Sequence, residues 1–279
     1  MEVVTHLADL QGHLARVQRP LGLVPTMGAL HEGHLSLARV ARRGCRTVVA
    51  SIFVNPLQFG PHEDFERYPR AMANDLGLLE SVGVDLVFTP HAVELTPPGR
   101  LTTVSVARLT DRFEGLSRPG HFDGVTTIVM KLLNLVRPDR AFFGEKDFQQ
   151  LMVIRRMVKD LNIQVSIVGC PIIRDADGLA LSSRNVFLSP EERQSALSLY
   201  EALAEAATTW DRNADAARLI LQRKLSSASG VRLDYAEVVD PETLVQLEGV
   251  VEGPAQALVA AYIGDTRLID NIRLEPYQA

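Results

Sequence analysis

Hydrophobic residues recur in two alternating patterns along the first part of the chain. Short runs rich in Val, Ile, Leu and Phe are typical of buried strands, whereas apolar positions three or four apart are typical of amphipathic helices. Strands are predicted over residues 21–26, 47–54, 84–88, 140–143 and 163–168. Helices are predicted over 125–136 and 151–161, between and after these strands. Such alternation predicts a wound parallel sheet.

The pattern changes near residue 172. Ser189-Pro190-Glu191-Glu192 combines an N-cap, a proline at the first helical position and a capping-box glutamate, which predicts a helix running to about residue 207. A further helix is predicted over 214–225 and strands over 234–239, 255–263 and 266–274, the last two joined by a tight hairpin at Gly264-Asp265. We therefore predict an α/β protein. A Rossmann-like wound parallel-sheet domain covers residues 1–172, and a smaller α+β domain covers 173–279.

Composition narrows the class of protein. Of the 279 residues, 46% are hydrophobic and 23% are charged, which is near the average for globular proteins. No run approaches the roughly 18 apolar residues that span a bilayer, and the first residues lack the basic-then-apolar pattern of a signal peptide. We expect a cytoplasmic protein without a membrane partner. A net charge of −5 also argues against a nucleic-acid partner.

The two cysteines are far apart in the sequence. Cys45 and Cys170 form no C-x-x-C motif, so neither a metal site nor a disulfide framework is indicated. We expect both to be buried and chemically inert.

Residues 25–34, P-T-M-G-A-L-H-E-G-H, leave a predicted strand and enter a helix. The N–H groups and the positive dipole end of a helix N-terminus attract anions. Gly28 and Gly33 have no Cβ and let a nucleotide approach the backbone, while His31 and His34 are three apart and can face the same ligand. The segment predicts a phosphate site. An ordinary strand-to-helix turn with two surface histidines is the alternative.

Two later segments also carry polar residues at suitable places. G-E-K-D-F-Q-Q at 144–150 follows another strand, so we expect Lys146 on the same edge of the sheet as His31 and His34. L-S-S-R-N at 181–185 is a hydroxyl-rich loop with one cation, which by itself is only a polar loop. Other nucleotide and metal motifs are absent: His34 comes one residue too early for H-E-x-x-H, His121 replaces the P-loop lysine, and no G-x-G-x-x-G follows a strand.

Together these segments resemble the nucleotidyltransferase superfamily with the H-x-G-H signature. From end to end, the chain is similar to the pantothenate synthetase (pantoate–β-alanine ligase) family. The blocks that carry this resemblance are P-T-M-G-A-L-H-E-G-H at 25–34, F-V-N-P-L-Q-F at 53–59, G-H-F-D-G-V at 120–125, G-E-K-D-F-Q-Q at 144–150, L-S-S-R-N at 181–185, D-Y-A-E-V-V-D at 234–240 and T-R-L-I-D-N at 266–271. Leu181 stands where the family has Met, a change of little consequence because both side chains are apolar and similar in volume.

The resemblance implies a set of site residues. The implied ATP site contains Met27, Gly28, Ala29, Leu30, His31, Glu32, Gly33, His34, Gly144, Glu145, Lys146, Asp147, Ile173, Leu181, Ser182, Ser183 and Arg184. The implied catalytic residues are His34, His31, Lys146 and Arg184. Gln58 and Gln150 are expected to hold pantoate, with Gln58 also contacting β-alanine.

The reaction implied by the resemblance has two steps. ATP and pantoate give a pantoyl adenylate and pyrophosphate, and the amine of β-alanine then attacks the adenylate to give pantothenate and AMP. Mg²⁺ is expected with ATP, but no protein ligand of it is predicted. A homodimer is also implied. We expect residues 55–69 to help cover the adenylate against water, and Asp75 to lie on a solvated helix face.

Two other functions remain as alternatives. Another H-x-G-H nucleotidyltransferase would act on a small phosphorylated metabolite, which calls for more Arg or Lys than the neutral Gln58 and Gln150 provide. A catalytically inactive nucleotide-binding module is disfavoured because the implied catalytic residues are all present, namely His31, His34, Lys146 and Arg184.

Overall fold

The structure is a computed structural model that describes residues 1–61 and 63–275. It divides into two compact units. The first unit comprises Met1–Glu145 and Gln149–Pro171, and the second comprises Lys146–Phe148 and Ile172–Ala279. The second unit therefore includes a short segment from the middle of the chain.

The first unit contains the predicted parallel sheet, which has six strands: the five predicted from the sequence and one more. Its strands are β1 (Glu2–Val4), β2 (Leu21–Thr26), β3 (Thr47–Ile52), β4 (Leu86–Phe88), β5 (Arg140–Gly144) and β6 (Ser166–Cys170). They are ordered β1-β4-β3-β2-β5-β6, and all neighbouring pairs are parallel. Helices alternate with them: α1 (Leu7–Leu14), α2 (Glu32–Gly44), α3 (Met72–Ser81), α4 (Ala92–Leu95), α5 (Glu114–Ser117), α6 (His121–Val136) and α7 (Phe148–Asp160). The predicted α/β fold class is confirmed.

The core of this unit follows from strand and helix periodicity. On β3, Val48, Ala50 and Ile52 lie two apart and join one buried cluster, because alternate residues of a strand point to the same face. Leu37 and Ala41 of α2 are four apart and join the same cluster. Packing α2 against the central strands fixes where that helix begins. It thereby also fixes the position of residues 25–34, called the histidine segment below.

Two predicted strands begin later than expected. Ile163 donates its N–H to Val158 O and so closes the end of α7, which delays β6 until Ser166. Val84 likewise donates to Leu79 O at the end of α3, and β4 begins at Leu86. In both cases the residues that end the helix are apolar and β-branched, as strand residues usually are, and the sequence pattern therefore assigns them to the strand. β1 was not predicted, since three residues are too few for a pattern.

The second unit contains two helices and an antiparallel sheet. Its elements are α8 (Pro190–Thr208), α9 (Ala214–Ser227), β7 (Val231–Val239), β8 (Ala255–Ile263) and β9 (Thr266–Leu274), with sheet order β7-β8-β9. The predicted capping box is present, with Glu192 N donating to Ser189 Oγ at 3.2 Å and Ser189 N donating to Glu192 Oε2 at 2.8 Å. α8 and α9 pack on the sheet through a separate buried cluster.

Both cysteines are free and buried, as predicted. Burial raises the pKa of the Cys170 thiol to about 11 and also raises the pKa of Cys45. Both thiols are therefore protonated at neutral pH and are poor nucleophiles. Within the described residues, no helix is long and apolar enough to cross a membrane.

Candidate functional site

The central strands place three predicted segments at one edge of the sheet. β2 lies between β3 and β5, and all three run in the same direction. The chain that follows these strands contains residues 27–34, of which 32–34 begin α2, residues 53–58, and Glu145. Thr26 Oγ1 donates to Ser51 O at 2.7 Å and accepts from Gly28 N at 3.3 Å, which joins the ends of β2 and β3 to the histidine segment. This carboxyl edge is where ligands bind in such sheets.

Asp75 holds the loop before α2. Gly28 and Ala29 both have positive φ, at 84° and 50°, so the loop turns through two successive left-handed residues. The Asp75 carboxylate is 1% exposed and accepts from Ala29 N at 2.9 Å and Leu30 N at 2.8 Å. The expectation of a solvated helix-face residue is wrong, because α3 turns Asp75 inward onto this backbone. No local sequence signal marks a contact across 45 residues.

The two histidines cap α2 with their side chains. Gly33 N donates to His31 Nδ1 at 3.2 Å, and His31 N donates to His34 Nδ1 at 3.4 Å. The ring centroids are 4.1 Å apart. Because Nδ1 accepts in both rings, the neutral tautomer of each carries its proton on Nε2. In that tautomer, His31 at the N-cap and His34 in the first turn of α2 each carry an Nε2–H donor.

Several backbone N–H groups of this segment already have acceptors within the protein. Those of Ala29 and Leu30 donate to Asp75, and that of Gly33 donates to His31. The sequence pattern predicts a direct part in anion binding for these N–H groups. In the structure, these three N–H groups donate within the protein instead.

Gln58 lies beside the histidine segment. It ends a 3₁₀ turn (Pro56–Gln58) that Asn55 begins, with Leu57 N donating to Asn55 Oδ1 at 3.1 Å. Asn55 Nδ2 donates to Gln58 Oε1 at 3.0 Å, and Gln58 Nε2 donates to Met27 Sδ at 3.0 Å. Two predicted site residues, Met27 and Gln58, are therefore in contact. Asn55, buried and 2% exposed, orients the amide and was not identified from the sequence.

A buried polar network fixes the same turn from α6. His121 Nδ1 donates to Gln58 O at 2.8 Å, and Arg118 Nη1 donates to His121 Nε2 at 3.2 Å. Arg118 also forms a bidentate pair with Glu63, at 2.8 and 2.6 Å. Burial, followed by the Arg118 charge, lowers the pKa of His121 to about 4, so the ring is neutral. The expected covering loop, 55–69, is anchored here; its residue 62 is outside the described residues.

Gln149 and Gln150 have different surroundings. Gln149 is 4% exposed; its Nε2 donates to Leu109 O and Arg112 O, and its Oε1 accepts from Glu114 N. It therefore holds residues 109–114 against α7. Gln150 is half-buried, and no hydrogen bond among residues 1–61 and 63–275 joins it to Gln58.

In the second unit, Lys146 and the hydroxyl-rich loop (residues 181–185) lie close together. Leu181 N donates to Ile173 O at 3.0 Å, and Arg184 N donates to Ser182 Oγ at 3.3 Å. Lys146 and Ser182 line one small pocket. The other residues lining this pocket are Leu179, Ala180, Asn185, Leu199, Leu268, Ile269 and Asp270.

Buried polar groups support that pocket. Asp270, 4% exposed, pairs with Arg174 at 2.5 and 2.9 Å. Next to it, Asn271 Nδ2 donates to Lys146 O at 2.9 Å and so ties the lysine segment to β9. In the sequence, Asp270 and Asn271 stand out only as part of a family block.

No group of three or more His, Cys, Asp or Glu side chains in the described part of the chain could hold a metal ion. The protein therefore offers no metal cage of its own in that part.

Known proteins match nearly the whole chain. The sequence profile described as Pantoate-beta-alanine ligase matches residues 2–273. A pantothenate synthetase from Acidobacterium capsulatum is 55% identical over 259 residues, which cover 92% of this chain and 86% of that protein.

Solved structures give the same result. The crystal structure of pantothenate synthetase from Thermus thermophilus has a TM-score of 0.94 at 48% identity, covering 99% of this chain and all of that one. The pantoate–β-alanine ligase of Francisella tularensis, complexed with β,γ-ATP and β-alanine, has a TM-score of 0.82 at 34% identity over both full chains. The chain belongs to the pantoate–β-alanine ligase family.

Proposed function

We propose that His31 and His34 stabilise charge on the ATP phosphates while the carboxylate of pantoate attacks the α-phosphorus. The observation that carries this proposal is the pair of Nδ1 acceptors at the start of α2, which orients both rings before any ligand arrives. Donors that need no reorganisation are the most effective at stabilising developing charge.

The first step requires no proton donor in the strict sense. A carboxylate oxygen of pantoate bonds to the α-phosphorus, the bond to the β-phosphate breaks, and pyrophosphate leaves as an anion. Neutral Nε2–H groups suit this chemistry because they donate hydrogen bonds without giving up a proton. The second step joins the amine of β-alanine to the acyl carbon and releases AMP.

Lys146, Ser182 and Arg184 act in this proposal on the β- and γ-phosphates. Lys146 and Ser182 line one pocket, and Arg184 follows in the same 3₁₀ turn (Ser183–Phe187). The rest of the ATP site is made of 27–34, 144–147, Ile173 and 181–184. In the two-domain scheme of the sequence, residues 1–172 bind nucleotide and pantoate, and 173–279 form a lid over the phosphates.

Gln58 and Gln150 bind pantoate in this scheme, and Gln58 also contacts β-alanine. The Gln58 amide is held by Asn55 on one side and lies against Met27 on the other. Neutral amides suit a hydroxy acid better than a phosphorylated acceptor, which would favour Arg or Lys. The Francisella ligase complexed with β,γ-ATP and β-alanine supports ATP and β-alanine as ligands here.

Mg²⁺ enters this scheme with ATP. Mg²⁺ is commonly bound by substrate phosphates and only one or two carboxylates. A homodimer in the cytoplasm completes the proposal, and light scattering should give twice the chain mass of 30.7 kDa.

Isotope exchange tests the proposed two-step reaction. With labelled pyrophosphate, ATP, Mg²⁺ and pantoate, but no β-alanine, label should enter ATP because the first step is complete without the amine. Adding β-alanine should then release AMP and not ADP. Exchange that strictly requires β-alanine would show that no free-standing adenylate forms.

A further inference from the structure

Asn271 contacts the segment that carries Lys146. Its side chain lies on β9 and is 4% exposed, and its Nδ2 donates to Lys146 O at 2.9 Å. The proposed function assigns it no part. Asn271 is a buried amide that donates to the backbone of the lysine we assign to the phosphates. This contact indicates a role for Asn271 beyond packing.

The orientation of the Asn271 amide is fixed by Gln256. Gln256 Nε2 donates to Asn271 Oδ1 at 2.8 Å, and Gln256 is itself 4% exposed. Nε2 is only a donor, so the atom of Asn271 that meets it must be the oxygen. The nitrogen of Asn271 therefore faces Lys146 O. The two amides form one chain of hydrogen bonds from β8 through β9 to the lysine.

The division of the chain into units is consistent with this contact. Lys146–Phe148 joins that unit, although the residues on both sides of it, up to Glu145 and from Gln149, belong to the first. A lysine side chain has four carbons and many rotamers, so its ammonium is well placed only if its backbone is fixed.

We propose that Asn271, oriented by Gln256, is a positioning residue that holds Lys146 where its ammonium reaches the β- and γ-phosphates of ATP. This inference rests on the assignment of Lys146 in the proposed function. It predicts that loss of the Asn271 amide weakens the binding of ligands that have a β-phosphate and does not change the binding of AMP.

Calorimetry on the intact protein tests this with Asn271→Ala. Binding of an ATP analogue that cannot be cleaved at the α-phosphorus should weaken about 3- to 10-fold, the range for one lost hydrogen bond. AMP binding should not change. Gln222→Ala is the matched control, because Gln222 Nε2 also donates to a backbone oxygen of this unit, Ala236 O at 3.3 Å, away from Lys146. It should alter neither affinity.

A double-mutant cycle with Lys146→Ala shows whether Asn271 acts through the lysine. In the Lys146→Ala background, adding Asn271→Ala should change ATP-analogue affinity by less than about twofold. Equal losses for ATP analogue and AMP, or an Asn271 effect that persists undiminished without the lysine side chain, would overturn the proposal. If Lys146→Ala alone leaves ATP affinity intact, the assignment of Lys146 fails instead.

Gln256→Met provides a second variant if Asn271→Ala does not fold. It removes the donor that orients Asn271 and keeps a side chain of similar length. The expected result is again a weaker ATP analogue with unchanged AMP. An unchanged ratio of the two affinities would contradict the role of Gln256.

Discussion

At the scale of single residues, hydrogen bonds decide which histidine atoms can act. In His31 and His34 the backbone occupies Nδ1, which leaves Nε2 to carry the proton. In His121 the opposite tautomer is fixed, since Nδ1 donates to Gln58 O and Nε2 accepts from Arg118. In all three rings the hydrogen bonds define which nitrogen accepts.

His34→Ala should lower the rate of adenylate formation on the order of 10²- to 10³-fold, the usual effect of losing one preorganised donor. His34→Gln should retain more activity, because its amide nitrogen can donate from a position near Nε2. Single-turnover assays of each half-reaction, with pre-made pantoyl adenylate for the second, would measure both variants. A mutant slowed only in amide formation would contradict the assignment of His34 to the phosphates.

Asp75→Asn should reduce both stability and pantoate-dependent pyrophosphate exchange. The substitution replaces one carboxylate oxygen by an NH₂ group, which cannot accept a hydrogen bond. The hydrogen bond from Ala29 N or from Leu30 N to that oxygen is therefore lost, at a cost of about 1–3 kcal/mol. Asp139→Asn is the control, since Asp139 Oδ2 accepts from Leu21 N at 2.6 Å at the opposite end of β2. It should affect stability but leave the exchange rate per folded molecule unchanged.

Gln150→Ala should weaken pantoate binding, with little change for ATP. A lost neutral hydrogen bond costs about 0.5–1.5 kcal/mol, which corresponds to a few-fold to tenfold in affinity. Calorimetry with each ligand would measure it. Equal losses for both ligands would mean that Gln150 acts through the fold and not on pantoate.

His121 should make stability depend on pH. Its folded pKa of about 4 lies below the ordinary value of 6.5, so between these values the unfolded chain binds a proton that the folded protein does not. The His121 contribution is complete above pH 6.5 and is lost as the pH falls towards 4, by up to about 3 kcal/mol. Urea unfolding at pH 7 and 5 should show this loss in the parent and a smaller one in His121→Gln. The same slope in both proteins would assign the effect to other groups.

At the scale of elements, the approach of α6 to the Pro56–Gln58 turn depends on Gly124. A Cβ there would lie 2.2 Å from Leu57 O and 2.5 Å from Gln58 N. The Gly124 carbonyl also accepts from Asn55 Nδ2 at 3.1 Å. The helix, the turn and the Gln58 amide, which we propose binds pantoate, are therefore closely packed against one another.

Gly124→Ala should displace this turn and weaken pantoate binding together with stability. Gly77→Ala in α3 is the matched control, because a Cβ there meets nothing within 4 Å. That control should be neutral or stabilising by about 0.5–1 kcal/mol, since alanine is the better helix residue. Thermal unfolding and pantoate titration of both variants would decide, and a harmless Gly124→Ala would contradict the close packing.

Sequence patterns predict elements well where one period dominates. β2, β8 and β9 have the predicted boundaries, and α8 begins at its predicted capping box. The patterns are less accurate at the starts of β4 and β6, because there the residues that end the preceding helix have side chains typical of strands. Asp75 and Asn271 show the other limit: their roles depend on contacts 45 and 125 residues away, which no local pattern contains.

At the scale of the whole molecule, each unit has its own buried cluster. Trp210 is the single tryptophan and belongs to the cluster of the second unit. Its fluorescence therefore reports on that unit, whereas circular dichroism reports on both.

Leu221→Ala should lower the stability seen by Trp210 fluorescence by about 2–5 kcal/mol, because Leu221 is fully buried in α9. Leu219→Ala in the same helix should have an effect within about 0.5 kcal/mol, because Leu219 is 65% exposed. Leu23→Ala, in the first unit, should shift the circular dichroism transition more than the Trp210 signal. Identical shifts of both signals would show that the two units unfold as one.

The placement of Lys146–Phe148 in the second unit also matters for anyone who wishes to divide the protein. A C-terminal fragment that begins at residue 172 would lack Lys146 O, the carbonyl to which Asn271 donates. It would also lack the side of the pocket that Lys146 forms. The complementary fragment would carry the lysine without its anchor. Exchange of C-terminal units between related enzymes should therefore transfer two pieces of chain, residues 146–148 and the segment from 172 onward, so that the lysine and its anchor come from the same parent.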